Sequence, residues 1–202
     1  MSCPLRAPSI RQGLRRQQGL SLLEVLMAIL VMSIGVLGVA GMLTSSKQGN
    51  LDALQRSLAA QYATSLIERM RANPLALATY TNNGSGQTIT AGPSTWNSCA
   101  SDCTREQLAQ FDLDQVISTV FGAGELAGSA PTGGLLDPSI CVSGPAGGNG
   151  LYSVAIAWRS MRRMSNPTSN ACGADLGRYG TGADADLFRQ VLAITTYIGE
   201  PL

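Results

Sequence analysis

A single apolar segment near the amino terminus constrains this chain more than any other feature. Residues 20–43 contain one charged side chain, Glu24, and are otherwise apolar apart from two serines and three glycines. A helix over this stretch would be about 36 Å long at 1.5 Å per residue, which is enough to cross the hydrocarbon core of a bilayer. We therefore predict a membrane-spanning helix over 20–43.

The residues before this segment are polar and basic, and they end in a glycine. Four arginines precede Gly19 and favour a cytoplasmic location for the leader: Arg6, Arg11, Arg15 and Arg16. An ordinary secretory signal is cut after its apolar region, next to small residues. Val39-Ala40-Gly41 offers such a site, but the apolar core before it is long for that purpose. We favour a cut after Gly19, which leaves Leu20 as the new amino terminus.

The order Gly19, Leu20, Glu24 and apolar segment resembles the amino terminus of type IV prepilins. In that class a membrane-bound prepilin peptidase cuts after the glycine and methylates the new amine, here the amine of Leu20, where phenylalanine is most usual. The glutamate at the fifth mature position has an assembly role. The resemblance therefore implies that Glu24 pairs with the amino terminus of a neighbouring subunit. An unpaired carboxylate in hydrocarbon costs several kcal/mol, which gives this pairing a physical reason.

Short matches over the rest of the chain resemble the PilV-type minor pilins. They are Arg69-Met-Arg-Ala-Asn-Pro74, a segment with paired cysteines, Asp112-Leu113 and Ala157-Trp158-Arg159. From the residues alone, Arg69 and Arg71 suit the carboxyl end of a helix, where cations complement the helix dipole. Asp112 reads as a solvated helix residue. Asp114 and Asp112 cannot face one partner from the same helix.

Hydrophobic periodicity predicts the remaining elements. Apolar residues at steps of three and four indicate a second helical stretch before Pro74. They form a stripe of Leu51, Leu54, Leu58, Tyr62, Leu66 and Met70, with Ala59, Ala63 and Ile67 beside it. This stretch either continues the first helix, giving one helix from about 20 to 72, or is separated from it by a break, for which Gly49-Asn50 is the best place. A helix is predicted over Thr104–Phe121, with Thr104 as its N-cap and Asp102 as the alternative.

Alternating patterns predict two strands, Leu151–Arg159 and Leu187–Ile198, with a weak strand near Gln87–Thr90. The apolar piece Ile140–Val142 is assigned to a glycine-rich loop. The expected fold is α+β, a type IV pilin-like arrangement of a long amino-terminal helix packed on a small antiparallel sheet. The expected parts are a leader (1–19), a membrane or filament-core helix (20–43), an amphipathic continuation of the helix (44–73) and a globular head (74–202).

Four cysteines remain once the leader, with Cys3, is removed: Cys99, Cys103, Cys141 and Cys172. In a small domain outside the cytoplasm they indicate two disulfides. Three pairings are possible, and we favour Cys99–Cys103 with Cys141–Cys172. A zinc site is the alternative, but the chain lacks the second close pair that such sites use.

Composition argues against several functions. Without the four leader arginines the chain has 10 basic and 13 acidic side chains, so its formal charge falls from +1 to −3, and no basic stripe indicates nucleic acid. Histidine is absent and no catalytic constellation is found, so we expect neither an enzyme nor a cofactor. No metal site is expected either, with Asp184-Ala-Asp186 only a faint candidate for calcium.

The resemblance implies a minor pilin that takes part in initiating type IV pilus assembly and in adhesion. Its implied partners are the prepilin peptidase, other minor pilins, the major pilin, the inner-membrane assembly platform and, before assembly, the lipid bilayer. Its implied location is the bacterial inner membrane with the head in the periplasm, then the pilus at the cell surface. One alternative is a pseudopilin of a type II secretion system, which shares the fold. Another is a periplasmic binding domain held by an ordinary signal anchor.

Overall fold

The computed structural model describes residues 19–93, 97–99, 102–128 and 130–199. The chain divides into two units, with the boundary between Ser45 and Ser46. The basic leader, residues 1–18, lies outside the described residues. One helix, α1, extends over Leu22–Ala72. Among the described residues it is the one helix whose length and composition suit a membrane span.

Helix α1 continues through Gly49-Asn50, so the two helical stretches form one continuous helix and no break occurs at the place where one was considered. A glycine inside a helix costs about 1 kcal/mol relative to alanine, and tertiary packing routinely exceeds such a preference. The packing comes from the turns that follow. Ala59, Ala63 and Met70 are completely buried, and the side chains of Leu66 and Ile67 are nearly so.

The buried part of the apolar stripe of α1 is shorter than expected. Leu51 and Leu54 are 44% and 54% exposed, whereas Leu58 and Tyr62 are half-buried against the core. The buried face is centred on Ala59 and Ala63, because small side chains let the helix backbone approach its neighbours closely. The expected stripe is therefore correct at its carboxyl end and wrong at Leu51 and Leu54.

Short elements follow α1. A 3-10 turn (Pro74–Ala76) leads into one turn of helix, α2 (Leu77–Tyr80), and then into a short strand, β1 (Gln87–Ile89). Helix α3 (Arg105–Val120) begins with a capping box: Thr104 accepts a hydrogen bond from the Gln107 backbone, and the Gln107 side chain accepts one from the Thr104 backbone. The helix predicted over Thr104–Phe121 and its N-cap are confirmed.

The remaining strands are β2 (Leu126–Ala127), β3 (Ala130–Pro131), β4 (Ser139–Ser143), β5 (Gly150–Arg159) and β6 (Arg189–Ile198). Strands β2 and β3 pair with each other, and the other four form an antiparallel sheet in the order β1-β4-β5-β6. The two predicted long strands are confirmed, although β6 begins at Arg189 rather than Leu187. The piece assigned to a loop, Ile140–Val142, is wrong: it forms the centre of β4.

One face of the sheet packs on the helices. Side chains at alternate positions of β5 are buried on this face: Tyr152, Val154, Ile156 and Trp158. Ile156 lies opposite Ile140 of β4 and Leu192 of β6, so all three strands contribute to one apolar layer. The fold is thus α+β and type IV pilin-like, with its long helix and four-stranded antiparallel sheet, as expected.

Candidate functional site

The proposed cleavage junction lies directly before α1. Gly19, Leu20 and Ser21 have no regular secondary structure, and Leu20 is 76% exposed. The first helical hydrogen bonds reach back to the carbonyl of Ser21, from the amides of Glu24 (3.0 Å) and Val25 (3.2 Å). A methyl group added at Gly19 would meet no heavy atom within 4 Å. Within the described residues, no other part of the chain therefore packs against Gly19.

Glu24 lies in the first turn of α1 and is exposed. The amino-terminal end of a helix carries partial positive charge, which favours a carboxylate at this position. Its side chain forms no hydrogen bond and no ion pair with another part of the chain that the structure describes.

The apolar part of α1 has its side chains outside any protein core. The large apolar residues between Leu22 and Leu43 are between 41% and 79% exposed. Burying each of them would contribute on the order of 1.5–3 kcal/mol, so water is an unfavourable surrounding for this surface. This surface suits contact with lipid or with other apolar helices.

The four head cysteines form two disulfides. Cys99 bonds to Cys103, and Cys141 bonds to Cys172, which is the pairing that the sequence favours. Cys141 lies in β4, whereas Cys172 lies in the loop that joins β5 to β6. The second bond therefore fastens this long loop to the face of the sheet opposite the helices.

Arg189 holds the same loop from inside, and sequence reasoning missed it. Its side chain is 2% exposed, and its guanidinium donates hydrogen bonds to the carbonyls of Asn170 and Cys172, both at 2.8 Å. The same group donates to Pro167 and to the side chain of Asn166. No sequence pattern predicts this arrangement, because Arg189 contacts residues about 20 positions earlier in an irregular loop.

Arg69 and Asp112 meet at the junction of α1, α2 and α3. The Arg69 guanidinium donates to the Asp112 carboxylate at 2.6 Å, and the Tyr80 hydroxyl donates to its other oxygen at 2.7 Å. Asp112 is 7% exposed, so its assignment as a solvated residue is wrong. Burial first, and then the adjacent carboxylate, raise the pKa of the Tyr80 hydroxyl well above its usual range.

The other charged side chains of this region have separate partners. Arg71 pairs with Glu68 at 3.0 Å and donates to the Thr196 hydroxyl of β6. Asp114 accepts from the backbone (3.1 Å) and side-chain (2.6 Å) nitrogens of Asn97, so the two aspartates of α3 have different partners, as expected.

Both aspartates of the faint calcium candidate, Asp184-Ala-Asp186, lie beside arginine side chains. Asp184 pairs with Arg163 at 2.7 Å, whereas buried Asp186 accepts from the Asp175 backbone and lies 3.9 Å from the Arg189 Nε atom. Within the described residues, no group of three or more His, Cys, Asp and Glu side chains is placed to hold a metal.

Two family models match this chain. Residues 14–40 match the prokaryotic N-terminal methylation motif, and residues 42–114 match a family described as type IV pilin Tt1218. Gly19, Leu20 and Glu24 lie in the first range, and Arg69 and Asp112 lie in the second. Neither the comparison with curated proteins nor that with solved structures gives a match. The chain is therefore similar to type IV pilins over residues 42–114 and to the N-terminal methylation motif over residues 14–40.

Proposed function

We propose that this chain is a minor pilin, a structural subunit without enzymatic activity that enters type IV pili through its amino-terminal helix. The observation that carries the proposal is the position of Glu24, in the first turn of an exposed apolar helix and directly after Gly19 and Leu20. The match of residues 14–40 to the methylation motif supports it.

Processing creates a partner for Glu24. Cleavage by the prepilin peptidase exposes an amine on Leu20, and methylation leaves that nitrogen able to carry a positive charge. In a stack of parallel helices, the carboxylate of Glu24 pairs with the amine of an adjacent subunit. Both charges are costly to leave unpaired away from water, so the pair fixes the axial register of the two helices.

The PilV-type assignment is supported by the contact between Arg69 and Asp112. The resemblance rests on short segments that are far apart in the sequence, and this ion pair joins two of them. We infer that the subunit acts in the complex that initiates the pilus and lies at its tip, with a role in adhesion. Its partners there are the other minor pilins, the major pilin and the inner-membrane assembly platform.

The proposed topology follows the charges. The arginine-rich leader (1–19) stays in the cytoplasm, and residues 20–43 cross the inner membrane once. Residues 44–73 and the head (74–202) then lie in the periplasm, where the two disulfides are chemically stable. Assembly moves the subunit from the membrane into the filament at the cell surface.

Replacement of Glu24 tests the assembly role. In a bacterium that builds pili, Glu24→Ala should leave the protein in the membrane fraction and remove it from sheared filaments. Glu68→Ala is the matched control, because Glu68 is an exposed acid of the same helix, outside the apolar segment. Unchanged incorporation of Glu24→Ala into filaments would contradict the proposal.

The same strains separate a minor pilin from a type II pseudopilin. For a minor pilin, deletion of the gene should reduce piliation and leave type II secretion intact. The reverse result would favour the secretion machine. A mature chain that begins at Met42, or an intact Met1, would favour an ordinary signal or signal anchor.

A further inference from the structure

The two edges of the four-stranded sheet differ sharply. Strand β1 forms one edge with three residues, whereas β6 forms the other with ten. Natural proteins protect exposed edges with short strands, charges, prolines or bulges, because an open edge offers unpaired backbone groups to another chain. The β1 edge is protected by its shortness.

From residue 190 to residue 198, β6 itself supplies none of these protections. Residues 190–198 include no charged residue and no proline, and β6 pairs with β5 in an unbroken register from Arg189 opposite Arg159 to Ile198 opposite Gly150. Within the part of the chain that the structure describes, no backbone hydrogen bond links residues 190–198 to any element except β5. Arg71 reaches this strand, but it contacts the hydroxyl of Thr196 and not the backbone.

The side chains beside this edge are incompletely covered. Leu192 and Ile194 pack on the main core but are only half-buried, because no further strand lies beyond them. On the opposite face, Tyr197 and its cross-strand neighbour Leu151 are 62% and 65% exposed. Aromatic and aliphatic side chains at an exposed position are typical anchors of protein interfaces.

We infer that the β6 edge is the surface through which the head binds another pilin head, by accepting one of its extended strands as a fifth strand of the sheet. The partner segment is uncharged where it faces Leu192 and Ile194, because a charge placed there would lose water without gaining a counter-charge. Its alternate side chains are apolar, because they extend the layer of Leu192 and Ile194. The inference rests on the proposed function and names the contact that the head makes within it.

Photo-crosslinking in piliated cells tests this surface. The full chain carries p-benzoylphenylalanine in place of Tyr197, or in place of Leu176 as a control, since Leu176 is 41% exposed in the loop between β5 and β6. Sheared filaments are irradiated, and the joined peptides are identified by mass spectrometry. The expected product joins position 197 to an uncharged strand segment of another pilin, whereas position 176 gives no such product.

A charge at the edge should remove this product. Ile194→Lys, in the chain with the probe at 197, is expected to lower the yield about tenfold or more, whereas Leu176→Lys leaves it unchanged. If Ile194→Lys does not fold, as judged by loss of the Cys141–Cys172 bond, Thr195→Lys replaces it as the test variant, because Thr195 is at an exposed position of β6.

The outcomes separate this inference from the proposed function. Three results contradict the edge contact alone, provided that the chain enters filaments. They are no crosslinked product at position 197, only lipid adducts at that position, and a product whose yield the lysine substitutions do not change. A chain that is absent from filaments contradicts both.

Discussion

Arg69 and Asp112 form an ion pair with 2.6 Å between guanidinium nitrogen and carboxylate oxygen, although 43 positions separate them in the sequence. The Asp112 side chain is 11% exposed and the Arg69 side chain 33%, so the acid is the more deeply buried partner. The carboxylate of Asp112 also accepts a hydrogen bond from the Tyr80 hydroxyl. One carboxylate therefore ties the end of α1 to α2 and α3.

Removal of this carboxylate should destabilise the head. Asp112→Ala leaves the Arg69 charge and the buried Tyr80 hydroxyl without their partner. We expect a loss of about 2–3 kcal/mol in the free energy of unfolding, below the range for fully buried pairs because Arg69 is one-third exposed. Thermal unfolding of the full chain in detergent should show a midpoint about 5–10 °C lower.

The control for this prediction is the neighbouring pair of Glu68 and Arg71, whose side chains are 59% and 46% exposed. Glu68→Ala should change the free energy of unfolding by less than about 1 kcal/mol, because exposed pairs contribute little. Equal effects of the two variants would show that the buried pair has no special role.

Stability should fall at alkaline pH. Burial raises the pKa of the Tyr62, Tyr80 and Tyr179 hydroxyls above the ordinary value of about 10. Above that pH the unfolded chain releases these protons while the folded chain retains them, so each rise in pH favours unfolding. The contribution is complete below pH 10 and is lost progressively above it.

Tyr80→Phe tests the cause of this alkaline loss. The variant should be less stable than the parent at neutral pH, because the bond to Asp112 is gone, but its stability should fall less steeply above pH 10. A Tyr80→Phe slope equal to that of the parent would contradict the assignment.

The two disulfides should contribute unequally. Cys141 and Cys172 close a loop with a sequence separation of 31, against 4 for Cys99 and Cys103. By loop-closure entropy the long loop contributes about 4 kcal/mol and the short one about 2 kcal/mol. Denaturant unfolding of Cys141→Ser/Cys172→Ser and Cys99→Ser/Cys103→Ser should therefore show the larger loss for the first pair, and the reverse order would contradict this account.

The elements predicted correctly are those whose signal is local. The apolar segment of α1, the N-cap of α3 and the alternation in β5 and β6 each depend on residues within or next to one element. Strand β4 was missed because it is five residues long and lies between Pro138 and a glycine-rich stretch. Its place in the sheet comes from β1 and β5 on either side, which no local pattern shows.

The candidate site likewise has features that a local sequence pattern predicts and features that depend on the fold. The order of Gly19, Leu20 and Glu24 is readable in six residues, and it agrees with the match to the methylation motif. The burial of Asp112 and the loop contacts of Arg189 depend on residues that only folding brings together. The burial of Ala59 and Ala63 in α1 also depends on the fold. Alanine gives only a weak hydrophobic signal in a sequence, yet both residues are completely buried.

The amino terminus of the chain isolated from purified pili tests the central claim most directly. Mass spectrometry of the first proteolytic peptide identifies both the terminal residue and any methyl group on its amine. The account predicts a chain that begins at Leu20 and carries a methylated amine. A chain in the filaments that begins at Met1 or at Met42 would contradict it.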